Sequence, residues 1–453
     1  MSFSGLLIRN LIAPLWAIKE GTPYLKHLKL LEGSKKRPIE VIRNEQLQRL
    51  RKMIAHAAFH TDFYRERLST VTDEPINITW EQFVQIPFLT KDDIRANQKR
   101  MLASNISADQ LISKKTSGST GVALEVFADD DSMQWKRAVT ISYDRWSGWD
   151  IGENIAAIWT TKDPKTNWKS YLRNLLLECY TFLNTLGMDE DSVLEFYNKI
   201  KIDKPTLLFG HAHSIYLLAC FLRSKKLDDI RPLGIISTCM VLHDYERKVI
   251  EEVFCCKVTD RYGCEEVSLI ACECPAHNGM HLNYDSLIVE FIGVDGKPVE
   301  NGEPGAIVVT DLTNYGMPFI RYKVGDVGVP TDRTCSCGCT YPLMESLEGR
   351  IADYIVTPEG KLISGISLDE HFFLHLPTIK QMQFVQEEID YLVLRIVKGD
   401  NFTDQTYDDI ARLVAERFGS RMKHSVEIVD SVQQEASGKY RFCISKVKNP
   451  FTT

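Results

Sequence analysis

Four short stretches, spread in order from Thr116 to Lys439, combine residue types suited to handling a nucleotide. Thr116-Ser117-Gly118-Ser119-Thr120-Gly121 sets hydroxyls and glycines between Lys114-Lys115 and the apolar Val122-Ala123-Leu124. Glycines let the backbone turn tightly so that N–H groups converge on phosphate oxygens, and Ser/Thr hydroxyls add rotatable donors. The run lacks the Gly-Lys-Ser/Thr ending of a Walker A loop, and alone it reads as a flexible turn more often than as a phosphate site. In Arg261-Tyr262-Gly263-Cys264-Glu265-Glu266, the tyrosine face can stack on a purine and a following carboxylate can hold Mg²⁺. A surface turn with two solvated glutamates is the plain alternative. The stretch from Met317 to Asp326 places Arg321 and Asp326 around a turn. The aspartate suits two vicinal ribose hydroxyls and the arginine a phosphate, against the alternative of one surface ion pair. Near the end, Ser437-Gly438-Lys439-Tyr440-Arg441 carries a lysine on a Gly-preceded loop, able to reach a distant cleft as a phosphate-neutralising cation.

Taken together these stretches resemble the acyl-adenylate-forming superfamily of acyl-coenzyme A synthetases, adenylation domains and luciferases. Within it the match is to the phenylacetate-coenzyme A ligase-like family, in its capsule-biosynthesis (CapK-type) branch. The phrases from Ala57 to Tyr64 and from Ile86 to Ile94 are typical of that branch, so the resemblance covers nearly the whole chain. It implies that Thr116, Ser117, Gly118, Ser119, Thr120 and Gly121 form the phosphate loop of an ATP site. Tyr262 and Gly263 would line the adenine, Glu266 would hold Mg²⁺ and Asp326 the ribose. Arg350, in Glu348-Gly349-Arg350-Ile351-Ala352-Asp353, matches the hinge-proximal arginine, and Lys439 the C-terminal lysine that acts during adenylation.

The chain also departs from the family pattern. Val122 stands where a loop lysine is common, Glu265 where threonine is usual, Met240 near a usual glutamate, and Ala352 at the first of two hinge acids. The implied activity is ATP-dependent activation of a carboxylic or amino acid as an acyl-adenylate, with release of pyrophosphate. The acyl group then passes to coenzyme A, or to an amine or sugar acceptor in surface-polysaccharide decoration. The alternatives are a nucleotidyltransferase of the coenzyme F390 synthetase type and a non-catalytic nucleotide-binding scaffold. An acid pocket is expected near Trp159, Phe209, His211, His213 and Tyr216, residues equally compatible with core packing.

Cysteine usage adds a second constellation. Of twelve cysteines, five fall in two clusters: Cys272 and Cys274, followed by His277 and His281, and Cys335, Cys337 and Cys339. Two Cys/His knuckles separated by a long excursion are one way to build a tetrahedral zinc site. Structural zinc is favoured over free core thiols, with Cys274, His281, Cys335 and Cys337 as ligands and Cys272, His277 and Cys339 in reserve. That preferred set resembles the metal site of some relatives. A disulfide framework is disfavoured, since the sequence shows no signal peptide and the other cysteines are scattered.

Formal net charge is −7 and no basic block is long enough for a nucleic-acid surface. No stretch approaches the roughly 20 apolar residues of a membrane span, so a cytoplasmic enzyme is expected. Phe3 to Ile18 has an amphipathic pattern; packing on the body is expected ahead of peripheral membrane contact. A homodimer is allowed.

These motifs need a scaffold, and the length of 453 residues calls for more than one core. Helical spacing of Leu47, Leu50, Met53, Ile54 and Ala57 predicts helix between Glu45 and Leu68, ahead of a loop-rich stretch from Thr70 to Pro87. Helices alternating with short β-rich runs between Asp130 and Asp260 indicate an α/β body with parallel sheet. Strand patterns dominate from His281 to Pro330. Beyond Arg350 the order is strand, strand (391–397), helix (403–418) and strand (425–429). The expected architecture is thus α/β: a large N-terminal domain (1–349) with mixed sheets and a β-rich subdomain, then a small mobile α+β C-terminal domain (350–453).

Overall fold

The computed structural model describes residues 3–116, 124–159, 179–184, 190–227 and 229–350. Of the C-terminal part it describes 354–359, 362–364, 368, 372, 375–376, 378–399, 401–432 and 443–447. Contacts divide the chain into two compact units. Met1–Glu290, Ile307–Val324 and Pro330–Ser346 make the first; Phe291–Ala306, Gly325–Val329 and Leu347–Thr453 make the second.

Helices open the first unit: α1 (Phe3–Leu7), a π-helical turn (Ile8–Ile12), α2 (Ala13–Glu20), α3 (Tyr24–Ser34), α4 (Ile39–His60) and α5 (Asp62–Ser69). The helical periodicity between Glu45 and Leu68 is present but broken at Thr61. Its hydroxyl accepts from the Tyr64 amide at 3.2 Å and donates to the Ala57 carbonyl at 2.8 Å, capping one helix end and one helix start. The stretch expected to be loop-rich holds the short helix α6 (Trp80–Phe83), closed by a Thr79/Gln82 capping box. It is followed by α7 (Lys91–Met101).

A hairpin, β1 (Leu111–Thr116) with β2 (Leu124–Asp129), leads into α8 (Asp130–Asp144). Asp129 starts that helix by accepting from the Ser132 amide at 2.8 Å. Its other oxygen accepts from the amides of Tyr315 and Gly316, at 2.7 and 2.9 Å.

The body is the expected α/β layer. Strands β3 (Ile155–Trp159), β4 (Tyr180–Asn184), β5 (Leu207–His211), β6 (Gly234–Thr238) and β7 (Val258–Cys264) run parallel, in the spatial order β4-β3-β5-β6-β7. Their near-continuous burial is that of a sheet covered on both faces. The helices α9 (Glu190–Asp203), α10 (Ala212–Ser224) and α11 (Asp244–Phe254) supply one cover. From α10, Ala212, Ile215, Leu218, Ala219 and Leu222 fall at helical spacing into the same apolar cluster as Ile235 and Val258 of the sheet. On another cluster Leu207 and Ile236 meet Ala138, Val139 and Ile141 of α8, with Ala13, Ala17 and Leu28 from the N-terminal helices.

After β7 the sheet turns antiparallel through β8 (Ser268–Glu273) and β9 (Met280–Leu282). Gly263 sits at the irregular β7/β8 step, where a Cβ would lie 2.4 Å from the Ser268 carbonyl oxygen; only glycine allows that approach. Strands β10 (Leu287–Ile292), β11 (Gly305–Asp311), β12 (Tyr322–Thr331) and β13 (Leu343–Arg350) complete the β-rich part anticipated from His281 onward. Each carries residues of both units, so the units interleave along the sequence, where a single cut after residue 349 was expected.

In the second unit, β14 (Tyr354–Val356) pairs with β15 (Leu362–Ser364). A sheet of β16 (Ile379–Glu388), β17 (Tyr391–Lys398), β18 (Lys423–Ile428) and β19 (Cys443–Ser445) has the order β18-β17-β16-β19. The helix α12 (Asp404–Phe418) contributes Ile410, Leu413, Val414 and Phe418 to its core, beside Phe384, Leu394 and Ile396. Gln386, fully buried, bonds both the amide and the carbonyl of Val356 and so ties β14 to the sheet.

Candidate functional site

In an open parallel sheet, ligands sit outside the carboxyl ends of the strands, because loops of varied sequence meet there over a rigid base. The carboxyl ends of β3, β5, β6 and β7 carry Trp159, His211, Thr238 and Tyr262. Trp159 lies 5.2 Å from Phe209 and 4.2 Å from His211 between ring centroids, so three residues anticipated for an acid pocket do come together. His213, on the first turn of α10, is 5.8 Å from Tyr216 and places Nδ1 2.8 Å from the buried Glu246 carboxylate. Glu246 also accepts from the His243 amide at 3.3 Å, capping α11, so the histidine's partner is fixed by a helix start. Below the rim Arg261, largely buried, donates to Asp144 at 2.7 Å and lies over the Phe209 ring.

Tyr262 is buried, and the turn beyond it carries two acids with opposite settings. Glu265 is exposed and lies 3.6 Å from Lys114 Nζ, at the end of β1 that leads into the glycine-rich run. Burial lowers the Lys114 pKa, with Lys136 nearby acting in the same direction. Glu266 is only 5% exposed; its Oε1 accepts from Tyr322 Oη at 2.8 Å. Among the described residues Oε2 meets no donor. Lys136, buried on α8, donates to the Glu266 carbonyl at 3.1 Å and stands 3.2 Å from Asp311 Oδ2, bracing the turn from behind. A carboxylate held this way presents one oriented oxygen without a competing protein cation on it, a donor set suited to Mg²⁺.

Arg321 does not serve as anticipated. It is 4% exposed, with φ of +51°, and donates to both oxygens of Glu290 at 2.8 and 3.1 Å and to the carbonyls of Val84 and Ile86. Its guanidinium is engaged on protein, bracing the chain after α6, and a phosphate contact is replaced by a structural one. Asp326 is buried within β12, in the portion that belongs to the second unit. Ser117, Gly118, Ser119, Thr120, Gly121 and Lys439 lie outside the described residues, as do Ala352 and Asp353. Thr116 and Arg350 are described only as strand backbone.

The Cys/His constellation does assemble. Ligand atoms of Cys274, His281, Cys335 and Cys337 all lie within 4.8 Å of one another. Cys274 Sγ is 3.4 Å from Cys335 Sγ, and Cys337 Sγ is 3.3 Å from His281 Nε2. A tetrahedron with Zn–S bonds of about 2.3 Å has edges of about 3.7 Å, so the spacing fits. His281, fully buried on β9 between β8 and β13, directs Nδ1 at the Tyr341 carbonyl, 3.0 Å away, which leaves Nε2 facing the cluster. Amides of Ala276 and Cys339 point at the sulfurs of Cys274 and Cys337, each at 3.4 Å. The reserves stand apart: His277 pairs with Glu273, and Cys272 is buried against its own strand. All the cysteines are unbridged.

Lys136, Asp311, Tyr322 and Glu246 were not anticipated. Lys136 is written like any lysine on an amphipathic helix, and only the packing of α8 on the turn gives it a partner.

Residues 355–446 match the family model of the CapK C-terminal domain. Protein CapK of Staphylococcus aureus is 22% identical over 414 residues, covering 89% of each chain. The phenylacetate-coenzyme A ligase of Thermus thermophilus is 33% identical over 114 residues, 24% of this chain and 26% of that one. Among solved structures, 2-hydroxyisobutyryl-CoA ligase in complex with R3-HIB-AMP superimposes with a TM-score of 0.71 at 18% identity, covering 91% of both chains. The chain is therefore a homologue of CapK and the phenylacetate-coenzyme A ligases, built on the fold of the acyl-adenylate-forming coenzyme A ligases.

Proposed function

We propose that this protein activates a carboxylic acid with ATP as an acyl-adenylate and passes the acyl group to coenzyme A, or to an amine or sugar acceptor in surface-polysaccharide synthesis. The observation that carries the reading is Glu266: a buried carboxylate at the rim of the parallel sheet, oriented by Tyr322, four residues after the buried Tyr262. A carboxylate oxygen of the substrate attacks the α-phosphorus of ATP and the bond to pyrophosphate breaks. The thiol or amine of the acceptor then attacks the acyl carbon, and AMP leaves with the electron pair.

In this reading Tyr262 packs on adenine and Asp326 accepts from the ribose hydroxyls. The run from Thr116 to Gly121 cradles the phosphates, and Lys439 neutralises charge on the transferring phosphoryl group. Mg²⁺, held through Glu266, supplies charge neutralisation at the phosphates. Lys114 and Lys136 add positive charge around the same turn and offset the absence of a lysine at Val122. Trp159, Phe209, His211 and the His213–Glu246 pair line the acid pocket. Arg350 lies at the hinge on which a C-terminal domain from about residue 350 turns between the two half-reactions. The four-ligand cluster holds a structural zinc whose task is to pin β9 and the Cys335–Cys337 loop.

The test is carboxylate-dependent pyrophosphate release from Mg-ATP over a panel of aryl, fatty and amino acids, with Lys439→Ala as control. Release with one acid class, lost in the variant and accompanied by free AMP on adding acceptor, is expected. AMP found attached to the acceptor shows nucleotidyl transfer instead, and silence across the panel despite ATP binding shows a scaffold.

A further inference from the structure

The N-terminal helices are fixed to the body on one side and apolar on the other. Inward positions are Gly5, Ile8, Ala13 and Ala17. The five-residue step from Ile8 to Ala13 spans the π turn, whose wider winding returns both to the same face. Ile8 seats on Gly152, where a Cβ would be 2.7 Å from the Ile8 Cβ and φ is +88°, so a side chain there would displace the helix. Arg9 pairs with Asp150 beside it. The helix is thus anchored, yet its outer face carries Leu7, Leu11, Leu15 and Ile18 with exposures rising from 47% to 77%. Exposed leucines scattered singly are ordinary, but a continuous row on an anchored helix marks an interaction surface.

Charge identifies what covers it. Residues 1–37 contain seven Lys/Arg and two Asp/Glu, a net +5 in a chain of net −7, which leaves −12 (−7 − 5) for the remainder. Lys19, Lys26, Lys29 and Lys36 are exposed, as is Leu30 among them. Beside α3 a cavity of about 690 Å³ opens toward α4, with Lys26 and Lys29 near Leu30 and Trp135; Arg37, paired with Glu45, and Arg49, bonded to the Asp285 carbonyl, also line it. Cations around an apolar wall suit a phosphate-bearing amphiphile.

We propose that α1 to α3 form a peripheral docking surface for an anionic lipid bilayer: the leucine row enters the interface, and the lysines and the cavity meet lipid phosphates. No helix among the described residues is long and apolar enough to cross a membrane, so the attachment is in the plane of the surface. A second copy of the chain is a poorer occupant, since a twofold contact would set the exposed Lys19, Lys26, Lys29 and Lys36 of one copy against those of the other. The inference stands on this face alone and is independent of the adenylation reading.

The test is co-sedimentation of the full chain with vesicles of neutral phosphatidylcholine or with 30% phosphatidylglycerol added, at low and high salt. Binding to the anionic vesicles, at least about tenfold stronger than to neutral ones and weakened by salt, is expected. Leu11→Ser/Leu15→Ser/Ile18→Ser should lose at least about tenfold in vesicle affinity with its melting temperature kept, and Lys26→Glu/Lys29→Glu should lose the preference for anionic lipid. Failure of the wild type to sediment, or equal binding by the triple serine variant, overturns the proposal. So does a dimer that the serine variant converts to monomer without any vesicle binding, which would make the face a self-interface.

Discussion

The turn that bears Glu266 and the Cys/His cluster are both built on the corner where β7, β8 and β9 turn antiparallel, yet they are held in different ways. Glu266 is set by groups from distant parts of the unit: a hydroxyl from Tyr322 and an ammonium from Lys136 on its carbonyl. Each of these partners is itself buried, so protein hydrogen bonds fix its position. The cluster joins Cys274 and His281 to Cys335 and Cys337, with Sγ···Sγ and Sγ···Nε2 separations of 3.4 and 3.3 Å as its contacts. Thiols are weak hydrogen-bonding groups, so three thiols and an imidazole this close gain little from one another and have the spacing that a metal ion would use. Where carboxylates and hydroxyls converge, hydrogen bonding supplies the rigidity; where thiols converge, a bound ion would have to supply it.

The largest effect that separates the two regions is metal removal. Cys335→Ser, or stripping with a strong chelator, should abolish one bound zinc per chain by metal analysis and lower the melting temperature by about 5–10 °C. Glu266→Gln should leave zinc and melting temperature in place while lowering pyrophosphate release by about 10²–10³-fold, the usual loss when a group that stabilises transition-state charge is removed. If that variant instead melts early with proportionate loss of activity, the acid is part of the scaffold and the contrast collapses.

Asp260, on β7 beneath the same corner, offers a smaller probe. Burial, with Glu273 beside it, pushes its pKa up to about 7 from an ordinary 3.8. Below pH 3.8 it is protonated both folded and unfolded. Between that value and about 7 only the folded chain keeps the proton, so its contribution to stability is lost as pH rises through this window. The penalty at pH 8 is on the order of 4 kcal/mol. Asp260→Asn, which cannot ionise, should gain stability relative to the wild type from pH 4 to pH 8 in denaturant titrations; a constant difference would refute the assignment. Smallest of all, Tyr322→Phe should cost about tenfold in pyrophosphate release and about 1 kcal/mol in stability, since it removes a single bond to Glu266. A loss as large as that of Glu266→Gln would mean that the hydroxyl itself touches substrate.

Much of this architecture was legible in residue order. The parallel strands announce themselves as short apolar runs such as Ile155 to Trp159, because a strand covered on both faces has no polar side to alternate with. The second unit's helix and its strand at 391–398 follow from period alone. The two Cys/His knuckles were legible from their spacing, but the choice of Cys274 over Cys272 rested on the resemblance, since both share one C-x-C pattern and only packing turns Cys272 away from the cluster. Less legible was Arg321, where an arginine near an aspartate invites a phosphate role; the burial that ties it to Glu290 comes from chain segments some 30 and 235 residues away. The break at Thr61 was hidden because the apolar spacing continues across it.

Local order therefore carries the strand and helix identities, the thiol pairs and the acid after Tyr262, all of which depend on neighbours within a few residues. Only the folded chain assigns partners: Tyr322 and Lys136 to Glu266, Glu246 to His213, Glu290 to Arg321, and open water to the Leu7–Ile18 row. Each of these choices is made by burial, which fixes whether a polar group must be satisfied by protein or is left for a ligand, and burial is a property of segments remote in sequence.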